Sequence, residues 1–174
     1  MIFKAMGIGA LLLAAPALAL AQDGPPPKIS DKLPPANPIP YAPADVEAVM
    51  APIKATLAGI AAHDAAAIQA QLVAEGGATV VVEGADGSAK VKHLTWPEFL
   101  AGIKPSQDSY EERLSDPAVE SDGHVALVWS PYVFSLNGKP HHCGTDHFDL
   151  VKQAEGWKIV NITWSQRSTG CGAQ

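Results

Sequence analysis

The stretch His124–Arg167, HVALVWSPYVFSLNGKPHHCGTDHFDLVKQAEGWKIVNITWSQR, decides how this chain folds. Asn137-Gly138 is the pair that a two-residue hairpin favours, because a type I′ turn needs positive φ at both central positions. Gln153–Gly156 marks a second turn. The runs around these turns are rich in Val, Ile, Tyr, Phe, Trp and Thr, the residues that fit a pleated surface. They read as three long antiparallel strands, His124–Leu136, Pro140–Val151 and Trp157–Arg167.

Working toward the N-terminus, Ser109–Ser115 alternates and reads as another strand. Before it, Thr95 caps a short helix at Trp96–Leu100. Pro97 sits where a helix start tolerates it, and Glu98 completes a capping box. Thr79–Glu83 and Lys90–Leu94 form a hairpin about Ala85-Asp86-Gly87. Earlier still, Val46, Val49, Met50, Ile53, Leu57 and Ile60 recur at spacings of three and four after the N-cap Asp45, which is one helical face. Pro52 is a point where that helix can kink. Asp64 caps a second helix carrying Ile68, Leu72 and Val73, and Gly76-Gly77 is expected to end it. Two helices, a hairpin, a short helix and then long strands imply an α+β domain, with helices on one face of a curved sheet.

The flanks have a different character. Met1–Ala21 has one charge, Lys4, then an apolar run ending in Ala19-Leu20-Ala21. That is the pattern of a cleaved signal peptide. A membrane anchor is the alternative, but the run is short for a span of about 20 residues and no basic cluster follows it. Residues 22–43 form a proline-rich linker, with eight prolines between Pro25 and Pro43. Such a segment is an extended spacer, or alternatively a docking peptide for a proline-reading module. The domain then spans 44–174, long enough for one core. Export to the periplasm or the medium is the expected localisation.

With 12 Lys+Arg against 18 Asp+Glu, the net charge is −6, and no basic patch offers a nucleic-acid surface. Two cysteines are too few for a disulfide scaffold or a four-Cys zinc site.

Trp129–Phe134, Asn137–Lys139, His142–Leu150, Gly156–Ile159 and Thr163–Cys171 form an ordered set. This set resembles the lumazine-binding branch of the nuclear transport factor 2 (NTF2)-like superfamily, which also houses SnoaL-type cyclases and ketosteroid isomerases. The resemblance covers about 45–171. It implies a cone-shaped, curved antiparallel sheet with the N-terminal helices packed on its concave face. In this superfamily fold predicts reaction poorly.

Alternation places His142, Gly144, Asp146, Phe148 and Leu150 on one strand face, and Phe148 and Leu150 mark that face as interior. His142 and Asp146 are therefore the candidate acid–base pair. The carboxylate would raise the imidazole pKa, and burial would raise that of the acid. Tyr132 or Tyr110 is the candidate hydroxyl for an enolate oxygen, by analogy with the isomerases. The structural alternative is that both groups satisfy backbone donors at the sheet edge. Trp129, Tyr132, Phe148, Trp164 and Trp96 are the expected wall of a ligand pocket, although tryptophans often serve simply as core.

His141, Cys143 and His147 invite a metal reading. They span six positions of one strand, about 20 Å, too far for one ion without a sharp bend. No metal is expected, and no cofactor, since no phosphate loop, dinucleotide fingerprint or nucleophile elbow appears. Cys143 and Cys171, alone in an oxidising compartment, are expected to pair, with two free thiols as the alternative.

Both faces of the long strands are partly apolar, which predicts a homodimer. Two functions follow. The first is an exported small-ligand-binding protein with a hydrophobic conical pocket for an apolar or aromatic molecule. The second is a SnoaL-like or ketosteroid-isomerase-like enzyme moving protons with His142 and Asp146. Neither involves nucleic acid, nor a membrane after signal cleavage.

Overall fold

A computed structural model describes residues 43–172. The expected signal peptide and nearly all of the proline-rich linker lie outside the described residues. Helix α1 is Pro43–Ala61, α2 is Ala65–Gln69 and α3 is Trp96–Leu100. The strands are β1 Leu72–Glu83, β2 Ala89–Thr95, β3 Tyr110–Leu114, β4 Ala118–Ser121, β5 Val125–Leu136, β6 Lys139–Gln153 and β7 Gly156–Gln166. They form a single curved, unclosed sheet in the order β2-β1-β7-β6-β5-β3, with β4 paired to β5. The class is α+β with N-terminal helices, as the order of elements implies.

The local signals act as their chemistry requires. Asp64 accepts from the Ala67 amide at 2.9 Å and caps α2. At α3, Thr95 N donates to Glu98 Oε2 at 2.8 Å and Glu98 N to Thr95 Oγ1 at 3.4 Å, a complete capping box. Asn137 and Gly138 turn the β5–β6 hairpin with φ of 53° and 74°.

Three expectations need correction. First, the sheet is mixed: β1 runs parallel to β7, whereas the other pairs are antiparallel. Parallel neighbours need a long crossover, and here the whole chain from β2 to β6 supplies it. Second, Gly76-Gly77 does not end α2. The helix stops at Gln69, and Leu72 and Val73 already belong to β1. The glycines lie at an irregularity where β1 advances from Leu72 to Gly77 while β7 advances from Ile159 to Asn161. Gly76 has φ 153°, and a Cβ there would collide with the Val160 carbonyl. Third, β4 is an additional strand. Asp116 (φ 51°) and Pro117 interrupt the chain after β3, so the sequence reads as an end where the chain resumes pairing with β5.

The core sits between α1 and the sheet. Val49, Met50 and Ile53 pack against Val128, Phe148, Leu150, Ile159 and Ile162. Each fully buried aliphatic side chain contributes about 1.5–3 kcal/mol relative to exposure. β5 settles its orientation here: Val128, Ser130 and Tyr132 are buried, whereas Trp129 is 44% exposed.

Cys143 and Cys171 form a disulfide, with Cα atoms 5.5 Å apart. Cys143 pairs across the sheet with Arg167. The turn centres between Ala154 and Glu155, and a register shift between Asp149 and Leu150 moves the pairing one residue further. From Arg167, the chain turns through Gly170 (φ 69°) and brings Cys171 back to the bridge.

Candidate functional site

The concave side holds a cavity of about 180 Å³. Three walls make it. α1 contributes Thr56, Leu57 and Ile60. Phe99 and Ile103 come from α3 and the residues after it. The sheet contributes Tyr110 and Glu112 from β3, Phe134 from β5, His142, Asp146 and Phe148 from β6, and Ile162, Trp164 and Gln166 from β7. Register explains the convergence. Glu112 pairs with Phe134, Phe134 with His142, and Asp146 with Trp164, so side chains from four adjacent strands point the same way.

Two carboxyl groups meet on this wall. Asp146 is 4% exposed, and its side chain is a hydrogen-bond partner of Glu112. Its Oδ2 is buried and meets no N–H or O–H donor among the described residues, so a proton shared with Glu112 is its natural donor. Burial pushes both carboxyls above the ordinary range. Asp146 rises further, because the Glu112 charge and hydrogen bond add to its own desolvation. The two carboxyls titrate as one coupled pair, both displaced upward by their burial.

His142 differs from the expectation. It is not charged by Asp146. Four positions along one strand are about 13 Å, and the imidazole finds nearer company. Its Nδ1 lies 2.9 Å from His141 Nδ1, and its ring stacks on Phe134 at 4.7 Å and 16°. Burial, then repulsion from His141, lowers its pKa to about 4, so it is neutral at pH 7.

The other expected residues divide. Phe148 and Trp164 line the cavity. Trp129 stands on the opposite, exposed face of β5, beside His147 at 6.0 Å. Trp96 is buried in the core, packs edge-on to Phe99 at 6.0 Å and borders a separate depression with Gln69 and Leu72. Tyr132 is 2% exposed, and its hydroxyl donates to the Ser165 carbonyl at 3.1 Å. Burial and the nearby carboxyls raise its pKa, so it stays a phenol that ties β5 to β7. Gly144, its partner in register, lies so close to Ser165 that a Cβ would collide with that carbonyl. Tyr110 is the tyrosine that lines the cavity, its ring packed on His63 and Phe134. Cys143 is in the disulfide, so it is not a thiolate ligand, and among the described residues no group of three His, Cys, Asp or Glu converges on a metal position.

Glu112 escaped the sequence reading, although its signal was present. In Tyr110-Glu-Glu-Arg-Leu114, the alternation puts Tyr110, Glu112 and Leu114 on one face. Glu111 and Arg113 take the outer face, where they pair at 2.7 Å. A glutamate alternating with inward-facing residues signals a carboxyl turned toward the interior, where it needs a partner.

No family profile and no curated protein sequence matches the chain. Solved structures do. A Nostoc punctiforme protein with a cystatin-like fold superposes with a TM-score of 0.58 at 9% identity, over 74% of this chain and 95% of that one. An NTF2-like protein with a cystatin-like fold from Novosphingobium aromaticivorans gives 0.57 at 18% identity, over 75% and 86%. A candidate dehydratase of the NTF2-like family from Streptomyces avermitilis gives 0.56 at 18% identity, over 71% and 96%. At these identities the likeness speaks for architecture: the chain carries an NTF2-like, cystatin-like fold.

Proposed function

We propose that the cavity is an active site for proton transfer next to a carbonyl, with elimination of water as the reaction class. The observation that carries this is the Glu112–Asp146 pair in a largely apolar cavity. Burying carboxyls costs stability, and carboxyls displaced in this way within a cleft mark a candidate functional site. A pocket meant only to bind an apolar molecule would need neither.

The pair offers a base and an acid together. The Glu112 carboxylate takes a proton from the carbon beside the carbonyl. The electrons of that C–H bond form the C=C bond as the C–O bond of the neighbouring hydroxyl breaks. Asp146 gives its proton to the departing oxygen, which leaves as water. Glu112 now holds one proton and Asp146 none; transfer between them restores the starting state. The Tyr132 hydroxyl is committed to Ser165, so Tyr110 is the tyrosine left in the cavity lining.

The candidate dehydratase among the structural neighbours supports this class. A disulfide supports export to an oxidising compartment, and no described helix is long and apolar enough to cross a membrane. The narrower resemblance to the lumazine-binding branch is compatible with the fold and assigns no ligand. We further propose a homodimer through the outer sheet face, on which Trp129 is exposed.

3-Hydroxycyclohexanone tests the reaction, because it fits a one-ring cavity and its dehydration product absorbs in the ultraviolet. The protein should accelerate that loss of water. Glu112→Gln and Asp146→Asn should each lower the rate by about 100-fold or more. A wild-type rate equal to the uncatalysed one, or variants as fast as the wild type, would refute the proposal.

A further inference from the structure

Thr56 stands on the helix wall of the cavity, 1% exposed, and its Oγ1 is buried with no hydrogen-bond partner among the described residues. A helical threonine commonly donates to the carbonyl four residues back; here that position is Pro52, and the bond is not made. Its neighbours on the same helix, Val49, Met50 and Ile53, belong to the core, and Leu57 packs against it. Valine would fill the same space without leaving a hydroxyl unpaired. The hydroxyl therefore lacks a structural partner on the wall that lines the cavity.

Across the cavity is the Glu112–Asp146 pair, with apolar Leu57, Ile60, Phe148 and Trp164 also in the lining. Among the described residues, the lining contains neither Lys nor Arg, so nothing in it would balance the charge of an anionic ligand beside two carboxyls. The volume of about 180 Å³ slightly exceeds the ~150 Å³ of a cavity that accepts benzene.

We infer that the substrate is a neutral molecule of single-ring size with two oxygens, one held by Thr56 Oγ1 and the other at the carboxyl pair. Thr56 is the positioning residue that sets which way round it binds. This rests on the pair being the chemical centre, and equilibrium binding separates it from the reaction itself.

The probes are phenol, resorcinol, hydroquinone and benzoate, titrated into the full chain by calorimetry. Resorcinol or hydroquinone should bind about fivefold tighter than phenol, the gain of one hydrogen bond. Thr56→Val should remove that gain and leave the affinity for phenol unchanged, Thr56→Ser should keep it, and benzoate should bind more weakly than phenol. Equal binding of phenol and both diols to the wild type would overturn the inference. So would Thr56→Val weakening all three phenols alike, or benzoate binding best. If the diol gain appears while 3-hydroxycyclohexanone is not turned over, the ligand assignment stands and the reaction falls.

Discussion

Replacing Asp146 with Asn changes how folding stability depends on alkaline pH, and the size of the change follows from the site. Asp146 is 4% exposed, with its pKa raised first by burial and then by Glu112. In the unfolded chain both carboxyls ionise near pH 4. Between that pH and the folded pKa, the native state holds a proton that the unfolded chain has lost. A raised folded pKa gives stability that is complete below the unfolded pKa and is lost as pH rises through the folded one. Each retained proton corresponds to about 1.4 kcal/mol per pH unit. From pH 7 to 8.5 the wild type should therefore lose about 2 kcal/mol through this pair. In Asp146→Asn, the amide donates to an ionised Glu112 and no proton need be retained, so that loss should nearly vanish. His142 acts in the opposite direction. Its folded pKa is lowered to about 4, so it costs stability only as pH falls below its unfolded value of about 6.5, outside this window. Urea unfolding with the disulfide intact, repeated across pH 7–8.5, measures both slopes. Equal slopes in the two proteins would refute the shared proton.

Other expectations are more direct. Turnover of the hydroxyketone probe should follow a bell in pH. It should rise as Glu112 ionises and fall as Asp146 does, with both limbs above the carboxylate value of about 4; a flat profile from pH 5 to 9 would contradict the assigned roles. Replacing both Cys143 and Cys171 by Ala opens a loop of sequence separation 28 and should cost about 3–4 kcal/mol on the chain-entropy estimate. An unchanged urea midpoint, or two titratable thiols in the native protein, would count against the bridge. Trp129→Glu places a charge on the exposed outer face and should turn a dimer into a monomer in sedimentation velocity, whereas a wild type that already sediments as a monomer at micromolar concentration removes the dimer.

Much of this architecture was legible because its signals are local. Asn137-Gly138, the Thr95–Glu98 box and the Asp64 cap each fix their element through neighbours in sequence. The period of β6 placed Asp146 inside through Phe148 and Leu150, correctly, since residue alternation does not depend on distant packing. What was not legible depends on partners far along the chain. Nothing near Leu72 announces that β1 will lie parallel to β7, and the two glycines that looked like a helix stop are a strand irregularity, Gly76 against Val160 and Gly77 against Leu94. β5 has large side chains on both faces, so only the packing of α1 shows that Val128 and Tyr132 are inside and Trp129 outside. His142 and Asp146 were grouped because they share a face, but sharing a face along one strand separates them. The true partner of Asp146 lies two strands away on β3, where the period of a five-residue segment was the sole clue.

The central claim is that Glu112 and Asp146 share a proton at neutral pH. It is tested most directly by carbon NMR titration of the side-chain carboxyls in protein labelled at Asp and Glu, with Glu112→Gln and Asp146→Asn to assign the signals. The account predicts two carboxyls that titrate well above the others, each perturbed by loss of its partner, with one proton still bound at pH 7. If every carboxyl instead titrates within about one unit of its ordinary value, the pair is two independent acids and the proposed chemistry is wrong.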